Sequence, residues 1–127
     1  MPLVRIDLPQ SIDAPTARRL GDTIHRAMMD VIGVPSGDKF QIISLQPPEA
    51  RNLTSEYLGI RYSDKLLVIQ ITLNQGRTVE LKKAFYKRVA DDLAELGLRR
   101  QDVLINLVEV AKENWSFGNG EMQYGPQ

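Results

Sequence analysis

The chain of 127 residues contains no cysteine and only one histidine, His25. The missing cysteine excludes a disulfide framework, a thiolate nucleophile and a Cys/His zinc site, and the single histidine limits a Ser-His-Asp triad. Sixteen basic residues balance sixteen acidic ones, so no net charge attracts the chain to nucleic acid or to an anionic membrane. We therefore expect neither partner, and we expect no metal or cofactor.

Long apolar runs are also missing. No stretch approaches the ~18 apolar residues of a membrane span, and Arg5 and Asp7 stand where a signal peptide needs an apolar core. Gly-rich phosphate loops and the HExxH and GxSxG motifs are absent. With 43% apolar and 25% charged residues, the composition is that of an ordinary globular protein. We predict a single domain over residues 1–127, located in the cytoplasm.

The first half of the chain has a β-α-β pattern. Apolar residues recur at helical spacing between a cap at Asp13 and a stop at Gly33, which predicts an amphipathic helix. Short apolar stretches on either side, residues 2–8 and 40–45, predict strands. A polar connector then follows over residues 49–65, holding a short hairpin or an edge strand.

The second half repeats the pattern. An apolar strand is predicted over residues 66–73, a helix between Thr78 and Gly97, and a last strand over residues 103–110. The apolar residues carried by this predicted helix are Val79, Phe85, Val89, Leu93 and Leu96. The caps, the glycine stops and the turn aspartates of the two halves match at an offset of about 64 to 65 residues. The matching pairs are Asp13 with Thr78, Gly33 with Gly97 and Asp38 with Asp102.

This duplication predicts an α+β fold. Two pseudo-repeats, residues 2–46 and 66–110, form one mixed four-stranded sheet with both helices on one face. Residues 66–73 and 103–110 read as apolar on both sides, so the uncovered face of the sheet needs a partner. In so short a chain, that partner is expected to be another copy of the chain, which predicts a homo-oligomer.

Pro2 is the first candidate for chemistry. If Met1 is removed, Pro2 presents a secondary amine at a strand end, and such an amine can act as a base or form an iminium. Position alone carries little weight, because prolines are common at the second position.

Four segments together resemble the tautomerase superfamily, and most closely its malonate semialdehyde decarboxylase branch. They are Met1-Pro2-Leu3-Val4-Arg5-Ile6-Asp7-Leu8, the turn ending in Asp38 before Phe40-Gln41-Ile42, Gly76-Arg77-Thr78, and Trp115-Ser116-Phe117-Gly118. The similarity runs over essentially the whole chain in order and spacing. It implies two β-α-β blocks in a subunit, three subunits in an assembly and an N-terminal proline as the central catalytic group.

The resemblance also implies roles for single residues. Pro2 corresponds to the catalytic amine, and Arg77 to the group that binds the substrate carboxylate or carbonyl, which suits a guanidinium fork. Asp38 corresponds to an aspartate that activates water or tunes the amine, although an ordinary turn aspartate explains it equally well. Some relatives carry Arg-Pro-Arg where this chain has Gln75-Gly76-Arg77, so this chain lacks the second arginine that could bind the substrate carboxylate.

The aromatic residues near the end of the chain resemble the wall of the family's pocket. Trp115 and Phe117 correspond to that wall, and Tyr124 is placed like a tyrosine of one subgroup. Packing at a subunit interface is the alternative for Trp115 and Phe117. His25 is expected to be a solvated or interface histidine.

The expected function is that of a small-molecule enzyme acting on a carboxylate-bearing substrate. The leading hypothesis is a lyase that decarboxylates a 3-oxo acid such as malonate semialdehyde. The first alternative is an isomerase that performs keto–enol tautomerisation of a 2-oxo acid such as phenylpyruvate. Hydration or dehalogenation of an unsaturated acid is a third chemistry, and a non-catalytic interaction protein on the same scaffold is a fourth possibility.

Overall fold

A computed structural model describes residues 1–125. The elements, in chain order, are β1 (Pro2–Pro9), α1 (Ala14–Ile32), β2 (Gln41–Gln46), β3 (Glu56–Tyr57), β4 (Ile60–Arg61), β5 (Leu67–Asn74), α2 (Val79–Glu95) and β6 (Val103–Val110). Single 3-10 turns lie at Pro48–Ala50, Arg100–Asp102 and Lys112–Asn114. The predicted short hairpin is confirmed as β3 and β4, which pair with each other apart from the main sheet.

The helices begin and end at the predicted signals. The Asp13 carboxylate accepts the N–H of Thr16 at 2.8 Å. The side chain of Thr16 and, after it, this N–H lower the pKa of Asp13. Thr78 caps α2 in the same way, since its hydroxyl oxygen accepts the N–H of Leu81 at 3.2 Å. Helix α1 stops at Ile32 because Gly33 takes a left-handed backbone conformation, with φ of 72°.

The four long strands form one mixed sheet in the order β2-β1-β5-β6. The central strands β1 and β5 are antiparallel, whereas each outer strand is parallel to its neighbour. Each helix crosses between two parallel strands, and both cover the same face. The core lies between them and includes Ile6, Ile69, Leu20, Met28, Phe85 and Leu93, all fully buried. The predicted arrangement of two β-α-β units is confirmed.

The other face of the sheet is less apolar than predicted. Residues 66–73 were expected to be apolar on both sides, and this is wrong: Gln70 is exposed and donates to the side chain of Asn106 at 3.1 Å. The register places Arg5 opposite Gln70, so a polar row crosses the middle of this face. The rows on either side mix polar and apolar residues, since Thr72 lies between Leu3 and Val108.

Two of the five apolar residues in the helical pattern of α2 are not part of the core. Val79 is 61% exposed and Leu96 is 39% exposed. Val79 is the first residue of the helix and Leu96 follows its last, so both project beyond the part of α2 that packs on the sheet. Phe85, Val89 and Leu93, in the middle, are buried as predicted.

His25 is not solvated. It is only 8% exposed, and its Nε2 donates to the carbonyl oxygen of Ser36 at 3.1 Å. Because Ser36 lies in the connection between α1 and β2, this hydrogen bond ties that connection to the helix. The same connection carries Asp38, so His25 acts as an anchor for the loop rather than as a surface residue. No helix within residues 1–125 is long and apolar enough to cross a membrane.

Candidate active site

One end of the sheet brings together the segments singled out in the sequence. Because β1 and β5 are antiparallel, Pro2 at the start of β1 lies opposite Leu73 near the end of β5. The loop that carries Asp38 reaches the same end, where the N–H of Val4 donates to the carbonyl of Phe40 at 2.9 Å. The amino terminus, the Asp38 loop and the end of β5 therefore meet.

Asp38 faces the amino terminus of the chain. One oxygen of its carboxylate, Oδ2, lies 4.0 Å from the α-amino nitrogen of Met1. While Met1 is attached, the nitrogen of Pro2 is an amide without basicity, so chemistry at Pro2 requires the removal of Met1.

Arg77 is fixed by main-chain carbonyls. Its Nε and Nη2 donate to the carbonyl of Ile32 at 3.3 and 3.1 Å, and its Nη1 donates to the carbonyl of Asn74 at 3.1 Å. A guanidinium has five N–H groups, so each terminal nitrogen keeps one N–H for which residues 1–125 provide no acceptor. Two such N–H groups on a rigid fork can bind a carboxylate.

Glu109 is a neighbour of Arg77 that the sequence analysis missed. It lies opposite Leu73 on the helix-facing side of β6, and its carboxylate accepts a hydrogen bond from Lys82 Nζ at 2.5 Å. The pKa of Glu109 is lowered, with the Lys82 hydrogen bond as the largest cause and the charge of Arg77 a smaller one. The sequence feature that could have identified Glu109 is its acidic side chain on the face of β6 that otherwise carries apolar residues.

The aromatic residues form one cluster joined to Arg77 through Asn74. The indole N–H of Trp115 donates to the side-chain oxygen of Asn74 at 2.8 Å. Phe117 stacks on Trp115 with ring centroids 5.4 Å apart, and Tyr124 meets Phe117 edge-on at 5.0 Å. Asn74 thus supports both groups, its main chain holding Arg77 and its side chain holding Trp115. Sequence reasoning did not single out Asn74.

The site is open in a single copy of the chain. Phe117 is 37% exposed and Tyr124 is 44% exposed, while Trp115 is half-buried. A cavity of about 740 Å³ lies elsewhere, at the opposite end of the sheet. Within residues 1–125, no group of three or more His, Asp or Glu side chains is placed to hold a metal ion.

The chain is similar to known tautomerases in sequence. A family model described as "Tautomerase enzyme" matches residues 38–118, which is more than half of the chain. The "probable tautomerase" YusQ of Bacillus subtilis strain 168 is 40% identical over 124 residues, covering 97% of this chain and 98% of YusQ.

Solved structures extend the similarity to the fold. The FG41 malonate semialdehyde decarboxylase inhibited by 3-bromopropiolate is 33% identical, with a TM-score of 0.88 over 96% of this chain and 93% of that one. A second malonate semialdehyde decarboxylase is 31% identical, with a TM-score of 0.86 over 96% of this chain and 95% of that one. It was solved as wild type, as a variant with its first residue changed from proline to alanine, and in an inactivated form. A fused 4-OT protein, solved as a symmetric trimer, is 25% identical with a TM-score of 0.72 (94% of each chain). The chain belongs to the tautomerase superfamily, in the branch that resembles malonate semialdehyde decarboxylase.

Proposed function

We propose that the chain, once Met1 is removed, decarboxylates a 3-oxo acid such as malonate semialdehyde with the amine of Pro2 and the guanidinium of Arg77. The observation that carries this proposal is the geometry of Arg77. Two carbonyls hold its guanidinium at the end of the sheet where Pro2 and Asp38 lie, and two of its N–H groups remain available. Similarity to two malonate semialdehyde decarboxylases over nearly the whole chain supports the choice of reaction.

In this mechanism Arg77 orients the substrate carboxylate, and the protonated amine of Pro2 faces the substrate carbonyl. As the bond to the carboxyl carbon breaks, its electron pair moves toward the carbonyl oxygen, and carbon dioxide leaves. The protonated amine of Pro2 stabilises the developing negative charge by a hydrogen bond to that oxygen. Alternatively, the neutral amine of Pro2 first condenses with the carbonyl with loss of water, and the electron pair then moves to the iminium nitrogen to give an enamine. Carbon 2 then accepts a proton, and any iminium is hydrolysed to free the aldehyde.

The neighbours of the pair suit this task. Asp38 is the acidic group beside the amino terminus, with its Oδ2 4.0 Å from the nitrogen of Met1. Once Met1 is removed, we expect this carboxylate to stabilise the cationic amine that decarboxylation needs. The wall of Trp115, Phe117 and Tyr124 provides apolar surface on which a charged carboxylate becomes neutral carbon dioxide.

Tautomerisation of a 2-oxo acid such as phenylpyruvate is the second candidate, and the similarity to the "probable tautomerase" YusQ favours it. It requires the opposite protonation state, because a neutral Pro2 must accept a proton from the substrate. Hydration of an unsaturated acid is a third chemistry, for which Asp38 would activate water. It is supported by the decarboxylase and hydratase activities for which the second neighbour is described. A purely interacting protein would show none of these reactions.

Replacement of Pro2 by alanine tests the role of the secondary amine. We expect Pro2→Ala to lose the main activity while circular dichroism shows an unchanged fold, because alanine leaves only a primary amine. Turnover of malonate semialdehyde, phenylpyruvate and an unsaturated acid is followed by proton NMR. Mass spectrometry confirms that Met1 is removed from both proteins. Equal activity in the correctly processed variant would refute the proposed role of Pro2.

Replacement of Arg77 by alanine tests whether Arg77 binds the substrate carboxylate. An ionic contact left unmade in a partly dry site costs about 3 to 5 kcal/mol, so kcat/KM should fall by two or more orders of magnitude. Arg77→Lys keeps the charge without the fork and should recover only part of the loss. The matched control is Arg18→Ala, an exposed arginine of α1. If Arg77→Ala behaves like Arg18→Ala, the arginine does not bind substrate.

We also propose that the working form is a homotrimer, supported by the symmetric trimer of the fused 4-OT protein and by apolar side chains exposed in a single copy. Ile42, Phe117 and Tyr124 are 45%, 37% and 44% exposed. Size-exclusion chromatography with light scattering should give three times the 14.3 kDa mass of one chain. A monomer at micromolar concentration would contradict this proposal.

A further inference from the structure

The cavity described above lies where β1 and β2 end and β5 begins, at the end of the sheet away from Pro2. Its volume is about 740 Å³, within the usual range for small-molecule sites. Residues that line it include Pro9, Ser11, Arg51, Leu53, Tyr62 and Leu66. Nothing in the proposed reaction uses this cavity.

The cavity at the start of β5 is the counterpart of the candidate active site at the start of β1. The 3-10 turns at Pro48–Ala50 and Lys112–Asn114 lie 64 residues apart, and each follows an outer strand of the sheet. The residue after each turn, Arg51 or Trp115, donates its N–H back to the start of that turn, to Pro48 at 3.1 Å or Lys112 at 3.4 Å. By this offset Arg51 takes the place of Trp115.

Other positions around the two sites correspond in the same way. Leu53 of the cavity stands 64 residues before Phe117 of the aromatic wall. Asp102 stands 64 residues after Asp38 and is almost fully buried, accepting the N–H of Ser63 at 2.8 Å where Asp38 faces the amino terminus. The two ends of the sheet are therefore built on one plan.

The chemistry at the two ends differs in one decisive respect. At the cavity, β5 begins in mid-chain at Leu67, so its nitrogen is a peptide amide and no free amine is present. The caps Asp13 and Thr78 lie 65 residues apart, and by this offset the position that matches Arg77 is Ile12, which is 6% exposed. The cavity can bind a ligand but cannot perform the amine chemistry proposed for Pro2.

Arg51 gives the cavity its charge. Its Nη2 donates to the carbonyl of Leu66, whereas its Nη1 is buried and has no acceptor within residues 1–125. Burial lowers the pKa of Arg51, and the charge of Asp7 opposes this effect from beyond ion-pair distance. Asp7 itself accepts the side-chain amide of Gln46 at 3.0 Å. A partly dehydrated guanidinium without an ion-pair partner is stabilised when an anion joins it.

The lining indicates the kind of anion. Pro9, Leu53 and Leu66 offer apolar surface, while Ser11 and Tyr62 offer hydroxyl groups. Asp64, the acidic residue of the lining, is exposed to solvent, where its repulsion of an anion is screened. We propose that this cavity is a second, non-catalytic site that binds a small carboxylate with an apolar body, as the internal counterpart of the amine site.

Benzoate is a suitable probe, and the full-length protein is titrated with it while backbone amide resonances are followed by NMR. We expect the amides of Ser11, Ser63 and Leu66 to shift in a saturable way. The same shifts should persist in Arg77→Gln, in which the candidate active site is impaired. This comparison separates failure of the second site from failure of the proposed function.

Two variants of the cavity make the test specific. Arg51→Gln should weaken binding at these amides by about tenfold or more, as expected when a charge-assisted hydrogen bond is lost. Arg61→Gln, on the exposed hairpin, is the matched control and should leave binding unchanged. Leu53→Trp, at a half-exposed position, should block the cavity while Arg51 stays in place.

Three results would overturn the proposal. The first is an absence of saturable shifts at the three amides in the unaltered protein. The second is equal binding in Arg51→Gln and Arg61→Gln. The third is a set of shifts that follows protein concentration instead of benzoate, which would show that a second copy of the chain fills the cavity.

Discussion

The hydrogen bonds from Arg77 to the carbonyls of Ile32 and Asn74 connect parts of the chain that are distant in sequence. Ile32 is the last residue of α1, and the carbonyls at a helix end lack partners within the helix. A cation placed there also meets the negative end of the helix dipole. One guanidinium thus satisfies the end of α1, holds the end of β5 and keeps two N–H groups for a substrate. The orientation of the Arg77 guanidinium, which we propose binds the substrate carboxylate, therefore depends on where Gly33 ends the helix.

The antiparallel pairing of β1 with β5 explains why the two ends of the molecule look alike and why we propose different roles for them. It sends the start of each β-α-β unit to opposite ends of the sheet. Only one of these starts coincides with the amino terminus, and only there does removal of one residue expose a secondary amine. Asp38 stands near that terminus, whereas Asp102 is satisfied by the Ser63 main chain and hydroxyl. We therefore attribute the different proposed roles of the two ends, catalysis and binding alone, more to their positions in the chain than to their local architecture.

Local signals predicted the elements well. The caps at Asp13 and Thr78 and the stop at Gly33 act through hydrogen bonds and backbone conformation within a few residues, so the sequence reveals them directly. The burial of His25 and the polar row through Gln70 depend on packing and on strand register, which local patterns do not carry.

Some residues of the proposed site could likewise be predicted from local sequence, and others could not. Pro2, Asp38, Arg77 and the aromatic residues were singled out from motifs, and the structure places their segments at one end of the sheet. Asn74 and Glu109 support these residues through contacts formed only after folding, so they were missed. Arg51 lies in the polar connector, where nothing local marks it as the charge of a cavity.

The protonation state of Pro2 is the most direct test of the proposed chemistry. In protein freed of Met1 and labelled with nitrogen-15 at proline, the amine resonance of Pro2 is followed against pH, together with the rate of decarboxylation. An unperturbed terminal amine titrates near pH ~8, so it is mostly protonated at pH 7, and a carboxylate beside it stabilises that form. We therefore predict a cationic amine at pH 7, with activity declining on the alkaline side as its proton is lost. An amine already deprotonated well below pH 7 would contradict decarboxylation by a cationic Pro2 and favour tautomerisation.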